Sequence, residues 1–265
     1  MLGLEETDLI RQLWSRRQLV MSLILRQYQV RYRQSFIGIA WAILPPLASL
    51  GVAFIVFDRV VGVDTGDTAY SVFTLSALAP WTFFANSVSS GIPSVQQSQS
   101  MLTRIAFPPV VLPVSMVGIA LLDLGIATSL FIVVAYLIGD GLPITALWFP
   151  ALLVIEIVLA LGVALLGSAM NVFARDIRLA VPLFVQLWLF LTPVMYPLTE
   201  VPADLRSWYL ANPMTGLVES FRNALVYGRG PEARLLLPSV LGACIVFIVG
   251  SWYFRTTQRR FADVI

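Results

Sequence analysis

The sequence predicts an all-α integral membrane fold. It reads as six transmembrane helices, an N-terminal amphipathic interfacial helix, and a short outer helical hairpin between spans five and six. Three observations carry that prediction. The 265 residues are 58% hydrophobic and only 12% charged, whereas soluble domains carry about 25% charged residues. Residues 36–57, 68–103 and 235–254 contain no charge at all, and about 20 apolar residues suffice to cross a bilayer as a helix. The third is where the arginines fall. Arg11, Arg16, Arg17, Arg26, Arg31, Arg33, Arg104, Arg175, Arg178, Arg255, Arg259 and Arg260 lie on one side of a six-span path, against Arg59, Arg206, Arg222, Arg229 and Arg234 on the other. Basic excess marks the cytoplasmic side, so both termini are expected there.

The elements follow in order. Residues 1–35 are read as a cytoplasmic N-terminal segment and 36–265 as one six-span unit. Residues 8–33 alternate an apolar side (Leu9, Ile10, Leu13, Trp14, Leu23, Ile24, Tyr28, Val30) with arginines, the pattern of a helix lying in the interface plane. Arg31, Arg33, Gln34 and Ser35 then give way to span 1, about 36–57. Pro45 and Pro46 fall one-third of the way into it and should bend or loosen it. Asp58–Asp67 is a loop with Gly and Asp turn chemistry. Span 2 is about 70–94. The polar Gln96–Pro109 stretch, ended by a double proline, is a short inner helix and turn. Span 3 (110–138) carries Asp123, and span 4 (145–171) carries Glu156. A polar break with Arg175 and Arg178 leads to span 5, about 179–196. Outer helices are expected over about 203–211 and 212–227, the second capped by Asn212 with Pro213 at its first position and closed by Gly228. Span 6 is about 235–254. Gly118, Gly125, Gly162 and Gly167 suit close helix packing.

Absences exclude several function classes. There is no Lys and no His. A Walker A loop needs its Lys on the nucleotide phosphates, so this chain holds no ordinary ATP site. Without His there is no Ser-His or Cys-His pair and no His metal ligand. One cysteine, Cys244, permits no intrachain disulfide. The first ten residues carry Glu5, Glu6 and Asp8 with no short apolar core behind a basic start, so no signal peptide is expected. No internal repeat points to an inverted-repeat carrier.

Several stretches together resemble a known family. They are Arg31-Tyr-Arg-Gln-Ser-Phe-Ile-Gly38 with Trp41 and Pro45, Leu102-Thr-Arg-Ile-Ala-Phe-Pro108 with Pro113, and Asn171-Val-Phe-Ala-Arg-Asp-Ile177. Thr192-Pro-Val-Met-Tyr-Pro197, Asn212-Pro-Met214 and Arg222 continue the series. The chain resembles the ABC-2 type permeases, and more narrowly the transmembrane subunit of bacterial polysaccharide, O-antigen and teichoic acid ABC exporters. That resemblance implies a homodimer in the bacterial cytoplasmic (inner) membrane with two copies of a separate cytoplasmic ABC ATPase. ATP and Mg would sit on that partner, leaving no cofactor and no metal in this chain. The cargo would be a polyprenyl-linked glycan moved outward from the cytoplasmic leaflet, with membrane lipids around the subunit and no nucleic acid involved.

Candidate residues are assigned on that basis. The inner breaks are the expected coupling surfaces: Gln99, Met101, Leu102 and Arg104 in the first, Arg175 and Asp176 in the second. Arg31, Arg33, Pro45 and Pro46 form the expected inner gate or hinge. Aromatics at mid-span, Trp81, Phe83, Phe84 and Trp188, with Tyr196, offer broad contact to the apolar faces of sugar rings and are the expected channel wall. Asp123 and Glu156 are either bundle-facing polar contacts, a hydrophilic lining, or a proton relay. Other readings are an ABC-2 permease for a small hydrophobic drug or lipid, a proton-coupled carrier using Asp123 and Glu156, and a non-transporting scaffold.

Overall fold

A computed structural model describes residues 14–33, 40–102, 107–139 and 141–261, without the side chains of residues 31–33, 40–42 and 102. Arg104 therefore lies outside the described residues, and Arg31, Arg33 and Leu102 enter only as backbone. Every regular element among the described residues is helical.

Helix α1 (Arg17–Arg33) rests on α4 (Val111–Ile138). Its half-buried side carries Leu23, Ile24 and Tyr28, as the sequence pattern requires, but Val30 is exposed. A Cβ added to Gly118 would strike the tip of Ile24, so this small residue admits the α1 side chain. Helix α2 (Ala40–Ala53) runs helically through Pro45 and Pro46. Neither proline can donate an amide to the preceding turn. Pro46 is buried and Pro45 exposed. The expected loop at Asp58 begins later than the sequence suggests, because Phe54–Val61 continues as a π-helix. It closes at Gly62, whose φ of 73° is left-handed and suits glycine. The Arg59 guanidinium lies 5.3 Å from the Phe54 ring, which steadies that last turn.

Helix α3 (Tyr70–Gly91) is the centre of the bundle, with α2, α4, α5, α6 and α8 all against it. Helices α5 (Phe149–Phe173) and α9 (Ala233–Thr257) cross in intimate contact. Helix α6 (Asp176–Phe190) follows α5 after a tight break, and a short helix α7 (Arg206–Ala211) leads to α8 (Pro213–Leu225). The short helices Ser94–Gln97 and Gln99–Leu102 fill the first expected inner break.

Two ends of the bundle can be told apart. At one, Val95, Val110, Leu165, Ala169, Phe254 and Phe261 form a buried cluster; Arg175, Arg178, Arg255, Arg259 and Arg260 lie just beyond those segments in the chain. This is the arginine end. At the other, α8 is enclosed by the starts of α3, α5 and α9. Phe221 meets Phe149 with ring centroids 5.5 Å apart, and the Thr145 hydroxyl donates to the Ala224 carbonyl at 2.7 Å.

Four described stretches are long and apolar enough to cross a membrane: Ile43–Val61, Val111–Ile138, Ile144–Phe173 and Ala233–Arg260. The two other expected spans are present as helices of a different kind. Helix α3 is about 33 Å long at 1.5 Å per residue, but most of it is buried against protein. A helix so enclosed tolerates the Ser, Thr, Asn and Pro residues that lower its hydropathy. Helix α6 has only 15 residues, about 22 Å, and the chain leaves helical geometry at Leu191, before the expected end of span 5 at residue 196.

Candidate functional site

Two polar knots tie the bundle together, one at each end, and Asn171, Thr192, Asn212 and Arg222 of the motifs above fall in them. The first surrounds α8. Every α8 residue after Pro213 is buried. Asn212 caps this helix as expected, its Oδ1 accepting from the Met214 amide at 3.1 Å. The same oxygen accepts from Trp188 Nε1 at 2.9 Å. Asn212 Nδ2 donates to the Leu191 carbonyl and to Thr192 Oγ1 at 3.1 and 2.9 Å, and Thr192 Oγ1 donates to the Trp188 carbonyl. One asparagine thus joins the end of α6, the Thr192–Pro197 loop and the start of α8. Asn212→Ala should release all three. We expect a cost of about 1–2 kcal/mol from the lost cap, with further loss from the unpaired Trp188 indole, read as a lower thermal midpoint.

Arg222 is the centre of this knot. It is fully buried. Its Nη1 donates to Glu219 Oε1 at 2.6 Å, and Nη2 donates to the Pro193 and Val194 carbonyls at 2.9 and 3.1 Å. The guanidinium stacks on Phe73 of α3 at 3.8 Å, and nearby the Tyr70 hydroxyl donates to the Met195 carbonyl at 2.9 Å. A planar cation with several forked donors can serve a carboxylate, two carbonyls and a ring face at once, which lysine cannot. Arg222 on α8, Asn212 at its N-cap and Tyr70 on α3 hold the loop 192–197 from two helices. The sequence counted Arg222 as an outer-segment charge and gave Asn212 only its cap; the signal for the knot was that Thr192–Pro197, Asn212-Pro-Met214 and Arg222 all fall in the family-like series.

The second knot lies at the arginine end. Asn171 is fully buried two residues before the end of α5. Its Nδ2 donates to Gln96 Oε1 at 3.2 Å, and its Oδ1 accepts from the Arg178 amide at 3.0 Å. That amide belongs to the first turn of α6, where backbone donors have no partner within the helix. The two inner breaks are therefore joined through one side chain. Around them, Gln99, Arg175 and Asp176 are exposed, and Met101 is half-buried against the arginine-end cluster.

The aromatics expected on a channel wall are distributed differently. Trp81, Phe83 and Phe84 are buried inside this chain, with Phe84 edge-on to Trp188 at 4.9 Å and tilted against Trp81 at 5.9 Å. All three belong to the main buried core, and Phe84 packs on α6 through Trp188. Trp188 is half-buried, as is Tyr196, whose hydroxyl donates to the Phe190 carbonyl at 2.6 Å and lies 3.1 Å from the Tyr209 hydroxyl. Asp123 is half-buried on α4. Glu156 is fully buried on α5, and among the described residues neither of its oxygens has a hydrogen-bond partner. Burying an unpaired carboxylate is very costly, so this site suits the neutral acid. Glu156→Gln, which keeps shape and neutrality, is expected to leave yield and thermal midpoint unchanged, whereas Glu156→Lys should abolish stable expression. Among the described residues no cluster of three or more Cys, Asp or Glu could hold a metal.

A helical bundle with apolar spans and a buried, capped helix at one end defines a polytopic membrane protein. The ABC-2 type transporter family model matches residues 18–226, and this chain belongs to that family. It is similar to the O-antigen export system permease protein RfbA of Myxococcus xanthus, 30% identical over 259 residues, covering 97% of this chain and 99% of the relative. A protein of the same name from Klebsiella pneumoniae is 25% identical over 91% of this chain and 92% of its own length. The polysialic acid transport protein KpsM of Escherichia coli is 24% identical over 91% and 93%.

Proposed function

We propose that this chain is the permease subunit of an ATP-driven exporter of a polyprenyl-linked polysaccharide. The observation that carries this is the end-to-end similarity to an O-antigen export permease, 97% of one chain against 99% of the other. In this reading residues 1–35 form a cytoplasmic segment and 36–265 one six-span unit in the bacterial inner membrane, with both termini cytoplasmic. Helices α2, α3, α4, α5, α6 and α9 are the six spans, and α7 and α8 form the outer hairpin. The arginine end faces the cytoplasm, and energy comes from two copies of a separate ABC ATPase docked there. The absence of any lysine fits a division of labour in which another chain binds the nucleotide. Two copies of this chain make the pathway. Leu179, Leu183, Phe184, Leu187 and Phe190 leave one side of α6 exposed and apolar, which suits cover by a second copy or by lipid.

The test is deletion of the gene in its host, followed by separate assay of surface glycan and of lipid-linked glycan held inside. Loss of surface glycan with internal accumulation, reversed by the wild-type gene, is the expected result. Normal surface glycan in the deletion strain, with altered sensitivity to hydrophobic drugs, would point to a small-molecule permease instead.

A further inference from the structure

We infer that Asn171 is a positioning residue that transmits movement of the polar turn after α3 to helix α6, through the Gln96–Asn171–Arg178 link. This rests on the ATP-driven reading above. The argument begins with what holds each partner. Gln96 belongs to the Ser94–Gln97 turn, whose Val95 is fully buried in the arginine-end cluster. The residues that follow, Gln97, Gln99 and Ser100, are exposed, so this is the part of the first break that a partner below the bundle can reach. On the other side, α6 starts with no side-chain cap of its own. Its Arg178 amide is satisfied by Asn171 instead, at 3.0 Å. A helix start whose donor is met from a neighbouring helix moves with that neighbour.

The same side chain donates to Gln96 at 3.2 Å. Turn and helix start are thus connected by two consecutive hydrogen bonds through a fully buried asparagine, with no water needed. The far end of α6 is pinned as firmly, by Trp188 to Asn212 and by Thr192 to the same asparagine. Helix α6 is therefore a short rod fixed at both ends. A displacement of the 94–102 segment has a direct polar route into α6, and from there to the 192–197 loop and α8.

Two measurements test this. In the purified full-length chain, Gln96→Met removes the acceptor and leaves Asn171 free to tilt. Hydrogen exchange over residues 176–179 should then rise several-fold while exchange in α5 and α9 stays unchanged. In vesicles holding this chain with its ATPase, Gln96→Met should lower glycan exported per ATP hydrolysed at least fivefold, with hydrolysis within twofold of wild type. Gln96→Glu keeps an acceptor for Asn171 Nδ2 and should recover most of the export. Unchanged exchange at 176–179, or equal impairment by Met and Glu, overturns the link, as does full export by Gln96→Met. A wild-type complex that hydrolyses ATP but exports no glycan, together with the raised exchange in Gln96→Met, overturns the transport reading and the transmitting role with it, leaving Asn171 a structural contact.

Discussion

Arg222→Met should sharply lower both the yield and the thermal midpoint of the purified protein. Methionine keeps much of the apolar stem but removes every donor. It leaves the Glu219 carboxylate without its 2.6 Å partner and the Pro193 and Val194 carbonyls without theirs, all within a buried site. Removing one member of a buried pair costs about 3–5 kcal/mol, because the other charge stays behind unpaired. The stacking on Phe73 at 3.8 Å is lost as well. The double variant Glu219→Leu with Arg222→Met separates the contributions. It should regain part of the loss, since no lone carboxylate remains, yet stay below wild type because the loop carbonyls are still orphaned. Arg222→Lys should fall between, as a single ammonium cannot reach carboxylate, carbonyls and ring together. A thermal midpoint for Arg222→Met equal to that of wild type would mean that the loop is held by Asn212 and Tyr70 alone.

This arginine also marks what local pattern can and cannot reveal. Long runs with at most one charge indicated the apolar helices, because crossing a bilayer demands about 20 predominantly apolar residues whatever their neighbours are. Asn212-Pro213 gave the start of α8, because capping is settled within a few residues. Gly118, Gly162 and Gly167 were legible as close-contact positions, and each does meet a neighbour, Ile24 of α1, the Phe247 backbone of α9 and Ile92 at the end of α3. Gly125, chosen by the same rule, has nothing within 4 Å of an added Cβ, since glycine frequency says nothing about which face meets a partner. Arg222 was counted as an outer-segment charge because, beyond Glu219 one turn away, its partners are not local: Pro193 and Val194 lie 29 and 28 residues away. Asn171 finds Gln96 across 75 residues. Pairing at such separations depends on which helices become neighbours, and no periodicity encodes that. The mid-span aromatics illustrate the same point from the apolar side. Trp81, Phe83 and Phe84 fall mid-helix as the sequence implies, yet α3 is enclosed by five other helices, and all three are buried within the chain.

The second large effect is expected at the crossing of α5 and α9. A Cβ placed on Gly162 would lie 2.6 Å from the Phe247 nitrogen and 2.7 Å from its Cα, and one on Gly250 would strike the Gly162 carbonyl. The obstacles are backbone atoms, which cannot rotate aside as a side-chain tip can. Gly162→Val must therefore separate the two helices. In a membrane this loss has little to offset it. Lipid tails are as apolar as the helix surfaces, so association relies on packing and polar contacts, which small residues make possible. Overpacking in a filled core costs about 1–3 kcal/mol and occasionally more; a backbone obstacle on both sides of the crossing places Gly162→Val at or above the top of that range. The consequence should reach the α8 knot, because α9 also supports the start of α8, where an added Cβ on Gly242 would sit 3.1 Å from Pro213. Shifting α9 moves Pro213 and with it the Asn212 cap, so hydrogen exchange in α8 should rise in the Gly162→Val protein. Gly125→Ala is the matched control, also a glycine within a long apolar helix but with open space around it. It should gain up to about 1 kcal/mol from helix propensity alone, raising the thermal midpoint slightly. If the two variants behave alike, helix crossing at Gly162 does not hold α5 and α9 together, and the bundle relies on its polar knots.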